Sequence, residues 1–218
     1  MNYKFSGFLI FLVLFSFSPL QASEIKDKAL YNKYLKQVEG YLNSLKDVTA
    51  SFKQTSNVSN EEAKGKIYLS KPGKARWEYD KPKKVQLIIN EKNLVYYDKT
   101  LDQVSYVSTP KTVLDALLKN NISLAKDFDL VEIFEDVNKL FLTLTPKEYV
   151  KKLDETEGQE ITLVFNKAPF YLSDIIRKES EGVYIKVELQ NITKQENKLD
   201  EKLFVFENKK AFEKRTKN

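Results

Sequence analysis

Residues 65–82 read GKIYLSKPGKARWEYDKP, and this stretch decides the fold. KIYLS and ARWEY are both strand-type runs, separated by a Lys71-Pro72-Gly73 corner and closed by a second corner at Lys81-Pro82. A connection that short leaves two strands no arrangement but an antiparallel one. Side chains alternate along a strand, so Trp77 and Tyr79, the first of them the only tryptophan in the chain, share a side, with Arg76, Glu78 and Asp80 on the other, toward water. Proline cannot donate to a ladder, and the two prolines limit where this strand begins and ends.

Outward toward the N-terminus, Val48, Ala50 and Phe52 alternate with Thr49, Ser51 and Lys53, which predicts a hairpin with KIYLS across the polar loop TSNVSNEEAKG. Before it, Leu30, Tyr34, Leu35, Val38, Tyr41, Leu42 and Leu45 line one face of an amphipathic helix over Ser23 to Leu45. Residues 1–22 carry Lys4, an apolar run from Phe5 to Phe17, Pro19 and a small residue at Ala22, the pattern of a cleavable signal peptide. As a helix that run would reach about 20 Å, short of the ~30 Å needed to span a bilayer. The mature chain, from residue 23, is expected to be soluble in an exported compartment, the bacterial periplasm.

Outward toward the C-terminus, strand-like runs follow at KVQLIIN, NLVYYD and DQVSYVS, then a short helix beginning at Thr109 and Pro110 with Val113, Leu114, Leu117 and Leu118 on one face. Strands resume at FDLVEIF, KLFLTLT, EITLVFN, FYLSDIIRK, GVYIKVELQNI and KLFVFEN, giving about ten to twelve in all. The class is mainly β with helices (α+β). Val183, Ile185, Val187 and Leu189 face one way and Tyr184, Lys186, Glu188 and Gln190 the other, so one face must be covered. Two helices cannot cover a flat sheet of that width. The expectation is therefore an unclosed antiparallel barrel with the helices as a lid, in a single domain over residues 23–218 whose end, 210–218, is a flexible basic tail.

There is no histidine and no cysteine, which removes the Ser-His-Asp and Cys-His nucleophiles, the usual zinc ligands and the commonest general base. No glycine-rich phosphate loop or acidic calcium loop is present, so no metal and no cofactor is expected. Carboxylate pairs in LDETEGQE and FDLVEIFED would be the remaining route to an enzyme, of the glycosidase type, but charged surface turns explain them better. The formal charge is +5 with lysines spread along the chain except near KKAFEKRTKN, a weak case for nucleic acid.

In sequence order, the leading amphipathic helix, SFKQ at 51–54, GKIYLSKPGKARWEYDKP at 65–82, LIINEKNLVYYDKTLDQVSYV and a closing LFVF together resemble the LolA-type outer-membrane lipoprotein carrier proteins. The resemblance covers nearly all of the mature chain. It implies an unclosed barrel with helices over an apolar cavity that holds lipoprotein acyl chains, and no covalent chemistry. It implies partners too: acylated lipoproteins, an inner-membrane lipoprotein-releasing ABC transporter and an outer-membrane acceptor, with the carrier a monomer. By alternation, the cavity wall is expected from Phe52, Ile67, Leu69, Trp77 and Tyr79, from Leu87, Ile89, Val95, Tyr97, Val104 and Tyr106, and from Leu114, Leu117 and Leu118 of the short helix. Singly, each could as well fill a closed core. Lys71 stands where such relatives commonly carry an arginine that hydrogen-bonds the lid, which makes it the expected latch, though lysine lacks the planar fork. Ala75 stands where such relatives often place a large apolar residue. A carrier or sensor of another amphiphile, a glycolipid or fatty acid, is the alternative with the same cavity physics.

Overall fold

The structure is a computed structural model that describes residues 23–25, 27–59, 61–91, 93–108, 116–147, 160–180 and 182–207. The signal segment, the basic tail and Leu114 lie outside the described residues.

Alternating burial along the chain builds one antiparallel sheet of twelve strands among the described residues. They are β1 (Ser23–Glu24), β2 (Asp47–Ser56), β3 (Glu62–Ser70), β4 (Lys74–Tyr79), β5 (Val85–Asn90), β6 (Asn93–Asp98), β7 (Gln103–Ser108), β8 (Phe128–Glu135), β9 (Lys139–Pro146), β10 (Ile161–Lys167), β11 (Phe170–Ser180) and β12 (Val183–Lys194). Their order, β1-β8-β9-β10-β11-β12-β2-β3-β4-β5-β6-β7, is two meanders joined where β12 pairs with β2. The outermost strands do not pair with each other, so the sheet is unclosed.

Helix α1 (Lys28–Ser44) starts where Asp27 accepts from the amides of Ala29 and Leu30 at 2.7 and 3.0 Å. The helix expected from Ser23 begins later because Ser23 and Glu24 pair with Glu135 and Phe134 instead. Tyr34, Val38 and Leu42, one turn apart, bury their side chains against Leu140, Leu142, Leu144, Leu163 and Phe165 of β9 and β10. This is the main core. The helix is built into it and is not a loose cover. Residues 116 and 117 are helical, and a single turn, α2 (Leu124–Asp127), leads into β8.

The strand expected at KLFVFEN does not form over residues 202–207. Residues Glu201–Phe204 make a 3₁₀ turn capped by Asp200, whose carboxylate accepts from Lys202 N at 3.0 Å. This turn lies on the face of β4 and β5 opposite α1. Phe204 is buried there, Arg76 donates to the carbonyl of Leu203 at 2.9 Å, and Asn90 to that of Phe204 at 3.3 Å. The side of β4 expected to meet water is thus largely roofed, with Arg76 and Glu78 paired at 2.7 Å beneath the roof. Ile88 and Val95 on the same face are apolar and supply the reason.

Candidate functional site: an apolar patch and the corner beside it

Strand register puts three rows of side chains on the α1 face of β2 to β6. One row is Ala50, Ile67, Trp77 and Leu87; the next is Phe52, Gly65 and Tyr79; the third is Val48, Leu69, Ala75, Ile89 and Leu94. Phe52, Ala50 and Ile67 form a buried nucleus against which Trp77, Tyr79, Val187, Leu189 and Ile192 pack while staying half-buried. Ala75, Ile89 and Leu118 form a second nucleus, flanked by Leu69, Leu94 and again Trp77. Trp77 therefore joins two small apolar clusters, and its pairing with Tyr79 on one side of β4 widens the first of them. The main core beneath α1 has a fully buried centre in Leu140, Leu142, Leu144, Leu163 and Phe165. In this second region the large rings of Trp77 and Tyr79 stay half-buried, and with the aliphatic chains around them they form the surface on which hydrocarbon could lie.

Of the expected wall residues, the structure brings together Phe52, Ile67, Leu69, Trp77, Tyr79, Leu87, Ile89 and Leu118. Leu117 packs against the main core instead. Val95, Tyr97, Val104 and Tyr106 are a correction: Val95 pairs with Ile88 and Tyr106, and Tyr97 with Gln86 and Val104, all on the face opposite α1. There Tyr97 and Tyr106 meet Phe206 at 5.0 and 6.5 Å between ring centroids, and Tyr106 is 69% exposed. In NLVYYD both parities are apolar, so alternation alone could not choose, and Leu94 is the residue that turns to the patch. Leu94, Val187, Leu189 and Ile192 were missed as members; the alternation of β12 already placed Val187 and Leu189 on a common face.

The Lys-Pro-Gly corner sits where α1, the 116–124 segment and the β3–β4 hairpin meet. Lys71 is 7% exposed, and its ammonium donates to the carbonyl of Leu42, near the end of α1, at 2.9 Å. Burial, with the neighbouring Lys46 charge, lowers its pKa to about 8. Gly73, at φ +73°, donates to Leu118 O at 3.0 Å and accepts from Glu91 N at 2.7 Å. The 116–124 segment is fastened to α1 by polar bonds: Asn43 donates to Ile122 O at 2.9 Å and accepts from its amide at 2.7 Å, and Leu124 N donates to Glu39 at 2.7 Å.

Of two clefts, one of about 860 Å³ opens where β11 and β12 separate and shares Leu189 and Ile192 with the patch, and one of about 590 Å³ lies across the opposite face of β8 to β12; Trp77 and Tyr79 line neither. Among the described residues no acidic cluster is placed to hold a metal ion, and no helix is long and apolar enough to cross a membrane.

Residues 43–207 match the family model of the outer membrane lipoprotein carrier protein LolA. The chain belongs to the LolA family. Among similar proteins, an uncharacterised protein of Rickettsia prowazekii is 29% identical over 94% of this LolA-family chain and 89% of its own length. An outer-membrane lipoprotein carrier protein of Legionella pneumophila is 27% identical, over 91% of this chain and 93% of the relative. That of Chromobacterium violaceum is 31% identical over 60% of this chain and 61% of its own. A solved LolA-superfamily structure from Nitrosomonas europaea superposes at a TM-score of 0.46 and 10% identity, covering 79% of this chain and 97% of the other. Membership in LolA rests on the sequence match.

Proposed function

We propose that this LolA-family protein is a periplasmic carrier that takes the acyl chains of lipoproteins from an inner-membrane ABC transporter, shields them from water, and delivers them to an outer-membrane acceptor as a soluble monomer. The observation that carries this reading is the half-buried apolar patch running from Trp77 and Tyr79 to Leu189 and Ile192. Burying acyl chains contributes about 0.8 kcal/mol per methylene, so three long chains supply tens of kcal/mol before ordering costs, enough to hold a cargo that would otherwise aggregate. The N-terminal leader supports export. This reading asks for no covalent chemistry by the protein, in keeping with a chain that has neither histidine nor cysteine.

Lys71 is the latch in this reading: one ammonium on the Leu42 carbonyl joins the patch-bearing hairpin to α1, and a single polar bond can be broken when cargo enters. The test is co-purification from periplasmic extract. An acylated lipoprotein should travel with the soluble protein and its unacylated form should not. Equal recovery of both forms overturns the proposal, and mass spectrometry of the extracted lipid separates lipoprotein cargo from glycolipid or fatty acid.

A further inference from the structure

β11 and β12 pair only between Asp174↔Glu188 and Ser180↔Val183. Before Asp174, β11 pairs with β10 alone, at Phe170↔Lys167 through Leu172↔Phe165. Beyond Glu188, β12 pairs with β2 alone, from Leu189↔Phe52 to Lys194↔Val48. The two strands part at their last common pair, and the cleft of about 860 Å³ opens between them. We propose that this gap is the port at which the polar head of an acylated cargo rests while its acyl chains run inward to the Trp77–Tyr79 patch. The proposal rests on the carrier reading and names a subsite within it.

The cleft has both apolar and polar walls. Tyr41, Phe170, Leu189 and Ile192 line it from the α1 side. Tyr41 stands edge-on to Phe165 and Phe170, at 5.8 and 6.1 Å between centroids. Leu189 packs against both the main core and the Phe52 nucleus, and Ile192 against the latter. Leu189 and Ile192 therefore belong to both the cleft lining and the patch and give the two a continuous apolar contact. The rim is polar. Asp174, 2% exposed, is occupied by Lys139 at 2.9 Å, Lys186 at 3.0 Å and Ser173 at 2.7 Å. Lys194 differs: it lies 5.7 Å from the Tyr41 ring centroid and donates to Ser44 Oγ at 2.8 Å, with no carboxylate partner among the described residues. It is the rim cation left over for a ligand.

An acylated cargo has two parts with opposite demands: its chains must leave water and its head must not. A slot through the sheet meets both, with an apolar throat for the chains and, at the mouth, an ammonium that donates to the ester and amide carbonyls joining acyl chains to head.

The chain has no cysteine, so a single introduced thiol can be labelled after folding. Gln190→Cys at the rim, Leu87→Cys on the patch and Val137→Cys on an exposed turn would each carry a benzophenone maleimide, with a synthetic tripalmitoylated glyceryl-cysteine peptide as probe. The expected result is cross-linking to the head of the probe from position 190, to its acyl chains from position 87, and none from position 137. The adduct at 190 should weaken uptake about tenfold, and the adduct at 137 should leave it unchanged. Lys194→Met should weaken uptake without lowering the melting temperature. Cross-linking from 87 with none from 190, and a harmless adduct at 190, overturns the port and leaves the carrier standing. Silence from both 87 and 190 overturns the carrier reading and the port with it.

Discussion

Phe52 and Tyr79 meet edge to face, 5.0 Å between ring centroids, although they belong to β2 and β4, which are not neighbours. Between them in register lies Gly65 of β3. A Cβ there would stand 1.9 Å from the carbonyl oxygen of Glu78 and 2.7 Å from Phe52 Cε1. The rings touch because the strand between them carries no side chain at that point. This is a use of glycine for close approach, not for an unusual backbone angle. Tyr79 completes the contact by donating its hydroxyl to Gln54 at 2.7 Å.

Gly65→Ala is therefore expected to destabilise the fold by about 2–4 kcal/mol, because a backbone carbonyl cannot swing aside as a side chain can. Urea unfolding followed by the single tryptophan, which sits in the same patch, measures it. A loss under about 0.5 kcal/mol would mean that β3 shifts freely and that the Phe52–Tyr79 contact is not held by the glycine.

Lys71 has a folded pKa of about 8, lowered first by burial and then by the Lys46 charge. In the unfolded chain its proton is held up to the ordinary lysine value, about 10.4. Between these values the unfolded state binds more protons than the folded one, so this group makes stability rise with pH from about 8 to about 10.4, by at most about 3 kcal/mol. Lys71→Met removes that slope and should leave the protein as stable as the wild type or more so at neutral pH, since Leu42 O still accepts from Leu45 N at 3.3 Å. Unfolding free energies of both proteins across this window give the answer. Parallel curves would show that Lys71 is not perturbed, and unchanged cargo transfer in the variant would remove it as a latch.

Much of this arrangement is legible in the residues themselves, and the exceptions share a cause. β2 and β4 could be phased because each has one apolar and one polar parity, as in Val48, Ala50 and Phe52 against Thr49, Ser51 and Lys53. β6 could not. Its Leu94, Val95, Tyr96 and Tyr97 offer both faces an apolar residue, and the choice is made by the C-terminal segment, which roofs the far face with Phe204 and Phe206. That same roof took KLFVFEN out of the sheet. The family resemblance rests on the order of motifs and survived these errors of phase; the parting of β11 from β12 has no local signature at all, because it follows from which strands compete for pairing on either side.

Phe204 is 1% exposed, on a four-residue turn held mainly by the Arg76, Asn90 and Asp47 hydrogen bonds around it, the last accepting from Leu199 N at 3.0 Å. Phe204→Ala should cost about 3 kcal/mol and loosen residues 196–207 before the rest of the sheet. Limited trypsin digestion should then cut at the exposed Lys198 and Lys202 much faster than in the wild type. If cleavage is no faster, the roof is fixed by its backbone bonds and the buried ring is incidental to it.

Asp174 offers a check on the rim of the proposed port. Burial pushes its pKa up, but hydrogen bonds from Ser173, Lys139 and Lys186 outweigh it and hold the carboxyl below the ordinary aspartate value. With the folded pKa depressed, its contribution is fully present above the unfolded pKa, near 3.9, and is lost as pH falls through the folded value. Asp174→Asn should cost about 1–3 kcal/mol at pH 7, less than the roughly 3–5 kcal/mol of a fully buried orphaned pair, because Lys139 and Lys186 are 37% and 44% exposed and can turn to water. The gap between variant and wild type should then narrow in strong acid. Unfolding measured from pH 7 down to pH 2 tests both statements, and a gap that stays constant across that range would show that Asp174 supplies shape to the parting of β11 and β12 and not charge.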